Sequence, residues 1–119
     1  MLIALDLKLK MLDEFAGTEE YHPGFHGVRL TDGAAYISEN GYSWFITDAI
    51  AAIKCEPGLS REFMLVIRLV PTPRSDKAKM VIDDGDNNVL YEQTYEWTTA
   101  ERSLMLFYKD NVLMLPSEW

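Results

Sequence analysis

The chain reads as a single α+β domain, residues 1–119, in which helices cover one side of an antiparallel sheet of about five strands. Three observations predict this. An amphipathic helical stripe runs through residues 43 to 54, an apolar stretch at residues 62 to 70 has hydrophobic residues on both alternating faces, and two hairpin patterns follow it.

In chain order, residues 2 to 16 carry a stripe at Leu2, Leu5, Leu9, Leu12 and Ala16. Alternation through Leu5, Leu7, Leu9 and Met11 competes with that stripe. Scarce β-branched residues and a stop at Gly17 favour a helix. Thr18 to Gly27 is rich in glycine, proline and histidine and reads as an irregular loop, with Val28 to Leu30 a brief strand after it. Asp32-Gly33 signals a turn, Ala34 to Glu39 a short helix, and Asn40-Gly41 its close.

The main helix follows. Tyr42, Phe45, Ile46, Ala49, Ile50 and Ile53 recur at three- and four-residue spacing, which gathers them on one face as a lid over the sheet. Ser43 or Gly41 is the expected N-cap, and Lys54 with Pro57-Gly58 the stop.

Glu62 to Val70 predicts the middle strand of the sheet, covered on both sides. The short link through Pro71, Pro73 and Ser75 leaves no room for a crossover helix, so the next strand is antiparallel. Lys77 to Asp83 and Val89 to Trp97 flank DDGDNN, a turn signal. With Asp86-Asn87 at the turn, Lys77 falls opposite Glu96, Lys79 opposite Thr94 and Val81 opposite Glu92. Met80 and Ile82 then meet Gln93 and Tyr91. Ser103 to Tyr108 and Val112 to Leu115 form a second hairpin around Lys109, Asp110 and Asn111.

Composition narrows the function classes. An apolar fraction of 48% and a charged fraction of 25% are ordinary for a globular domain, and the length suffices for a core without staples. The lone Cys55 forbids an internal disulfide, so a reducing cytoplasm is expected, and neither a signal peptide nor a run long enough to span a bilayer stands out. The net charge of −8, from 19 acids against 11 bases, opposes direct nucleic-acid binding, which draws its affinity from lysine and arginine on phosphate. Acids cluster from Met80 to Glu101, where no lysine or arginine occurs. Asp83, Asp84, Asp86, Glu92 and Glu96 are therefore the candidate contacts to a partner with a basic surface.

Chemistry-bearing motifs are scarce. His22 and His26 are four apart, but Pro23 and Gly24 between them break the helix that would give the spacing meaning. DDGDNN lacks the later glutamate of a calcium loop. Cys55 sits at a helix C-terminus, where the dipole disfavours a thiolate. There is no nucleophile elbow, P-loop or dinucleotide fingerprint, and no cofactor or metal is predicted. The alternative is a metal- or small-molecule-binding enzyme with its site between the Glu19 to His26 loop and the aromatic helix, in a pocket lined by Tyr21, His22, His26, Tyr42 and Trp44.

The segments GTEEYH (17 to 22), LTDGAAYISENG (30 to 41), YSWFITDAIA (42 to 51), VIDDGDNNVL (81 to 90) and DNVLMLPSEW (110 to 119) resemble an uncharacterised family of small bacterial proteins. In that family a G-T-E segment, a T-D-G turn, an aromatic helix and a terminal L-P-S-E follow in this order. The resemblance covers the chain from Phe15 onward, with a shortened loop after Tyr21. It carries no assigned activity and implies an origin in phage and mobile-element genomes. The expectation is a non-enzymatic interaction protein accessory to such an element. Its most specific form is an inhibitor of a host nucleic-acid-guided defence system; a homo-oligomer is compatible with it.

Overall fold

The computed structural model describes residues 17, 18, 20–98, 100 and 102–119; the helix expected over residues 2 to 16 lies outside them. Strands β1 (His22–Pro23), β2 (Arg29–Leu30), β3 (Leu65–Pro71), β4 (Ala78–Asp83), β5 (Val89–Tyr95), β6 (Leu104–Lys109) and β7 (Val112–Met114) form one sheet in the order β1-β2-β7-β6-β3-β4-β5. All neighbours are antiparallel except β2 and β7. The α+β class holds, with seven strands rather than five.

β1 and β2 are only two residues long; β2 falls within the brief strand expected at Val28 to Leu30, and β1 is additional. His22 pairs with Leu30 and Pro23 with Arg29, so part of the expected irregular loop is a small hairpin. Its bend is a 3-10 turn at Phe25–Gly27, where His26 and Gly27 both take positive φ. So short a ladder leaves no alternation for a sequence pattern to reveal.

Helix α1 spans Asp32–Ile37, two residues earlier than expected. The reason is its cap: Thr31 Oγ1 accepts from the Ala34 N–H at 3.3 Å, so the Thr-Asp-Gly segment starts the helix instead of preceding it as a turn. A widened turn at Ser38–Tyr42 follows, and Gly41, at φ 103°, supplies the left-handed residue that ends it. Helix α2 is Ser43–Cys55, with Tyr42 at the N-cap position and no side-chain cap bond. Neither Ser43 nor Gly41 takes that place. The Trp44 indole instead donates to the Gly41 carbonyl at 3.0 Å.

Phe45, Ile46, Ala49, Ile50 and Ile53 of α2 are buried, as the stripe requires. They share one apolar cluster with Ala34, Ala35 and Ile37 of α1 and with Leu65, Ile67, Leu69, Met80, Ile82, Leu104 and Leu106 of the sheet. Alternation therefore gives β3, β4 and β6 a first face that meets the helices. Val66, Arg68, Lys79, Val81, Glu92 and Phe107 lie on the second face. Val66 is buried on that face, but Arg68 is only partly so and Val70 is 44% exposed, so β3 is not covered on both sides along its length as expected.

Candidate functional site

The β4–β5 hairpin carries the acids. Its observed register sets Lys79 opposite Thr94, Met80 opposite Gln93, Val81 opposite Glu92 and Ile82 opposite Tyr91, matching the register read from the turn residues, with an irregularity between Ile82 and Asp83. Lys77 Nζ lies 3.5 Å from Glu96 and Lys79 Nζ 3.6 Å from Glu92, so the second face presents exposed charges in pairs. Among the described residues β5 is also the last strand of the sheet.

The five acids divide into three roles. Glu92, Glu96 and Asp86 are exposed. Asp84 closes the turn: its carboxylate accepts from the Asp86 N–H at 2.8 Å, the Asn88 N–H at 3.3 Å and Asn88 Nδ2 at 2.9 Å. Chiefly through the Asn88 side chain, these bonds hold its carboxyl below the ordinary carboxylate value. Asp83 departs from the expected contact role. It is buried, accepts from the Gly85 N–H at 2.8 Å and is ion-paired to Arg68 on the neighbouring strand. An acid inside a ladder and diagonal to an arginine serves the fold, and its carboxylate is spoken for.

The alternative pocket does not assemble. His22 Nε2 lies 2.9 Å from Asp32 Oδ1, which ties β1 to the first turn of α1. That hydrogen bond raises the His22 pKa above its ordinary 6.5, against the lowering effect of desolvation. Tyr21 lies under the Arg29 guanidinium, 4.8 Å from carbon to ring centroid. His26 is exposed beside Phe25. The turn that holds His26 packs at the C-terminal end of α2, because Asn111 bonds both the Gly27 carbonyl and the Lys54 ammonium. Tyr42 and Trp44 sit at the other end of that helix, roughly 15 Å away at 1.5 Å per residue. Among the described residues no three His, Cys, Asp or Glu side chains converge as a metal site would need.

Two networks escaped the reading of the sequence. Tyr95 donates to Asp48 Oδ2 at 2.8 Å, Tyr91 donates to Gln93 Oε1 at 3.0 Å, and Trp44 meets the Tyr95 ring edge-on with centroids 5.1 Å apart. Their signal was the period-two spacing of Tyr91, Gln93 and Tyr95, which puts three polar tips on the helix side of β5. At the chain's end, the Glu118 carboxylate accepts from Thr31 Oγ1 at 2.6 Å, the Gly33 N–H at 2.9 Å and the Leu115 N–H at 3.0 Å.

A model of a family of unknown function, DUF6876, matches residues 6–119. The chain belongs to this family. No curated protein and no solved structure matches it. Two of the segments that carried the resemblance, T-D-G and L-P-S-E, are the ones joined by the Glu118 bonds. Those two motifs therefore have a structural role in this chain. Among the described residues no helix is long and apolar enough to cross a membrane.

Proposed function

We propose that the protein is a small acidic interaction protein without catalytic activity, which acts by occupying a basic surface on a partner through the β4–β5 hairpin. The observation that carries this reading is the exposure of Asp86, Glu92 and Glu96 on the hairpin that, among the described residues, ends the sheet. Acids in such a place attract a cationic surface at long range and exclude phosphate. Lys77 and Lys79 offset part of that charge, but exposed pairs contribute only about 0 to 1 kcal/mol, so a partner's cations compete with them readily. The phage or mobile-element origin implied by the resemblance suggests the more specific form, an inhibitor that fills the phosphate-binding groove of a host nucleic-acid-guided defence protein.

The test is capture from bacterial host lysate at low and high salt, with the wild type and the Glu92→Gln/Glu96→Gln variant side by side. A partner with a basic surface, retained at low salt, released at high salt and weakened by the double variant, is the expected result. No partner at either salt, or equal retention by the variant, overturns the reading.

A further inference from the structure

We infer that the outer edge of β5 binds an extended basic segment of a partner protein as an added strand. The inference rests on the acidic-surface reading and supplies its mode of binding. Among the described residues no strand pairs with the outer edge of β5. Alternate residues of a terminal strand direct their N–H and C=O groups outward, where another chain can take them up. Val89–Tyr95 gives seven residues of such edge with no proline, and its first two, Val89 and Leu90, are 56% and 40% exposed.

The side chains specify what fits. On the second face Glu92, Thr94 and Glu96 alternate, and each glutamate has a β4 lysine on its inner side. A strand added about 4.8 Å further out would set its own residues on the outer side of the same glutamates. Lysine or arginine opposite Glu92 and Glu96 would complete rows of alternating charge, the pairing that stabilises neighbouring strands. On the helix face the added residues would lie beside Tyr91, Gln93 and Tyr95, which are half-buried, so apolar side chains there extend the core. The fitting segment alternates apolar and polar residues and carries basic residues four apart.

A second copy of this chain is disfavoured in two registers. Antiparallel pairing of β5 on β5 centred at Thr94 sets Glu92 opposite Glu96 twice, and pairing centred at Glu92 sets that glutamate against itself. Like charges directly opposed destabilise a ladder. A basic strand meets no such repulsion in any register.

The probe is the peptide Thr-Lys-Val-Thr-Val-Lys-Val-Thr, compared with a version bearing glutamate for lysine and with two versions N-methylated on alternate residues, one in each phase. Binding is read by fluorescence anisotropy, and amide hydrogen exchange reports on β5. The parent peptide should bind and slow exchange of the outward β5 amides at least tenfold. One N-methylated phase and the glutamate peptide should lose binding, and the Glu92→Gln/Glu96→Gln variant should bind the parent at least tenfold more weakly. If both N-methylated peptides bind like the parent, or β5 exchange stays fast, strand addition is wrong while the acidic surface stands. If the double variant binds as tightly as wild type with β5 protected, the edge accepts strands regardless of charge, and the acidic reading fails with the basic-partner assignment. Absence of any parent binding overturns the strand inference alone, since the lysate capture judges the surface independently.

Discussion

Glu118 accepts a hydrogen bond from Thr31 Oγ1 across 87 positions of sequence, while its other oxygen takes the Gly33 N–H of the first turn of α1. One carboxylate thereby fastens the chain's end to a helix start, where orphan amides and the helix dipole both favour negative charge. Replacing Glu118 with alanine leaves the Thr31 hydroxyl only its longer bond to the Leu113 carbonyl, at 3.4 Å, and deprives the Gly33 and Leu115 N–H groups of their acceptor. Hydrogen bonds to charged groups contribute about 1.5–3 kcal/mol each and are not additive, so a loss of roughly 2–4 kcal/mol is expected in urea unfolding. Glu118→Gln, which keeps an acceptor, should lose less than half of that.

Gly33 is the counterpart of that carboxylate. A Cβ at this position would overlap the ends of the Leu115 and Glu118 side chains, the first buried in the core and the second held by its bonds. Gly33→Ala should therefore lower stability by about 1–3 kcal/mol, the usual range for overpacking, despite alanine's higher helix propensity. A Gly33→Ala protein with unchanged urea midpoint would mean that the C-terminal turn yields freely.

On the second face, Arg68→Met leaves the Asp83 carboxylate buried beside Val66 without its cation. Breaking a buried pair costs about 3–5 kcal/mol; because Arg68 is 34% exposed, roughly 2–3 kcal/mol is expected here. Adding Asp83→Asn should recover part of the loss, a coupling that a double-mutant cycle measures directly.

These examples mark what the sequence could reveal. The β4–β5 register was legible down to its lysine and glutamate neighbours, because DDGDNN sets a turn and alternation sets the faces. Helix α2 was legible because its apolar spacing is regular. Asp83 was misread because it stands in an acidic run that looks solvated. The lone arginine in the apolar stretch EFMLVIRLV was the signal that some carboxylate had to meet it. The Glu118 cap left no periodic trace because it depends on a contact between distant segments, and β1 left none because two residues are too few to alternate. The proposed pocket failed because the His26 turn packs at the C-terminal end of α2 while Tyr42 and Trp44 lie at its start, and His22 is engaged by Asp32.

The His22–Asp32 pair links stability to pH. The folded-state pKa of His22 is raised, mainly by its bond to Asp32, so the protonated ring is bound more favourably in the fold than in the unfolded chain. Its contribution is complete below the ordinary value of 6.5 and disappears as pH rises through the folded value. The difference in Tm between wild type and His22→Gln should accordingly be largest near pH 6 and shrink toward pH 8. A difference that grows with pH would show that the ring acts through packing instead.

Tyr95 extends the pH argument to the alkaline side. Burial, then the hydrogen bond to Asp48, pushes its phenol well above the ordinary value of 10. A proton held more tightly in the folded state gives stability that is intact below about pH 10 and falls as pH climbs toward the folded value. Tyr21, by contrast, is about half exposed. In an ultraviolet titration of the wild type, the Tyr95 phenolate signal should therefore appear only together with the loss of tertiary circular dichroism. Tyr95→Phe should reduce the amplitude of that late step. It should also lower neutral-pH stability by about 1 kcal/mol, the usual worth of one hydrogen bond, because Asp48 keeps Gln93 Nε2 at 3.5 Å as a weaker donor. If instead the late step keeps its full amplitude in Tyr95→Phe, the phenol locked between β5 and α2 is not among the groups that titrate on unfolding, and the link through Asp48 does not hold that end of the sheet.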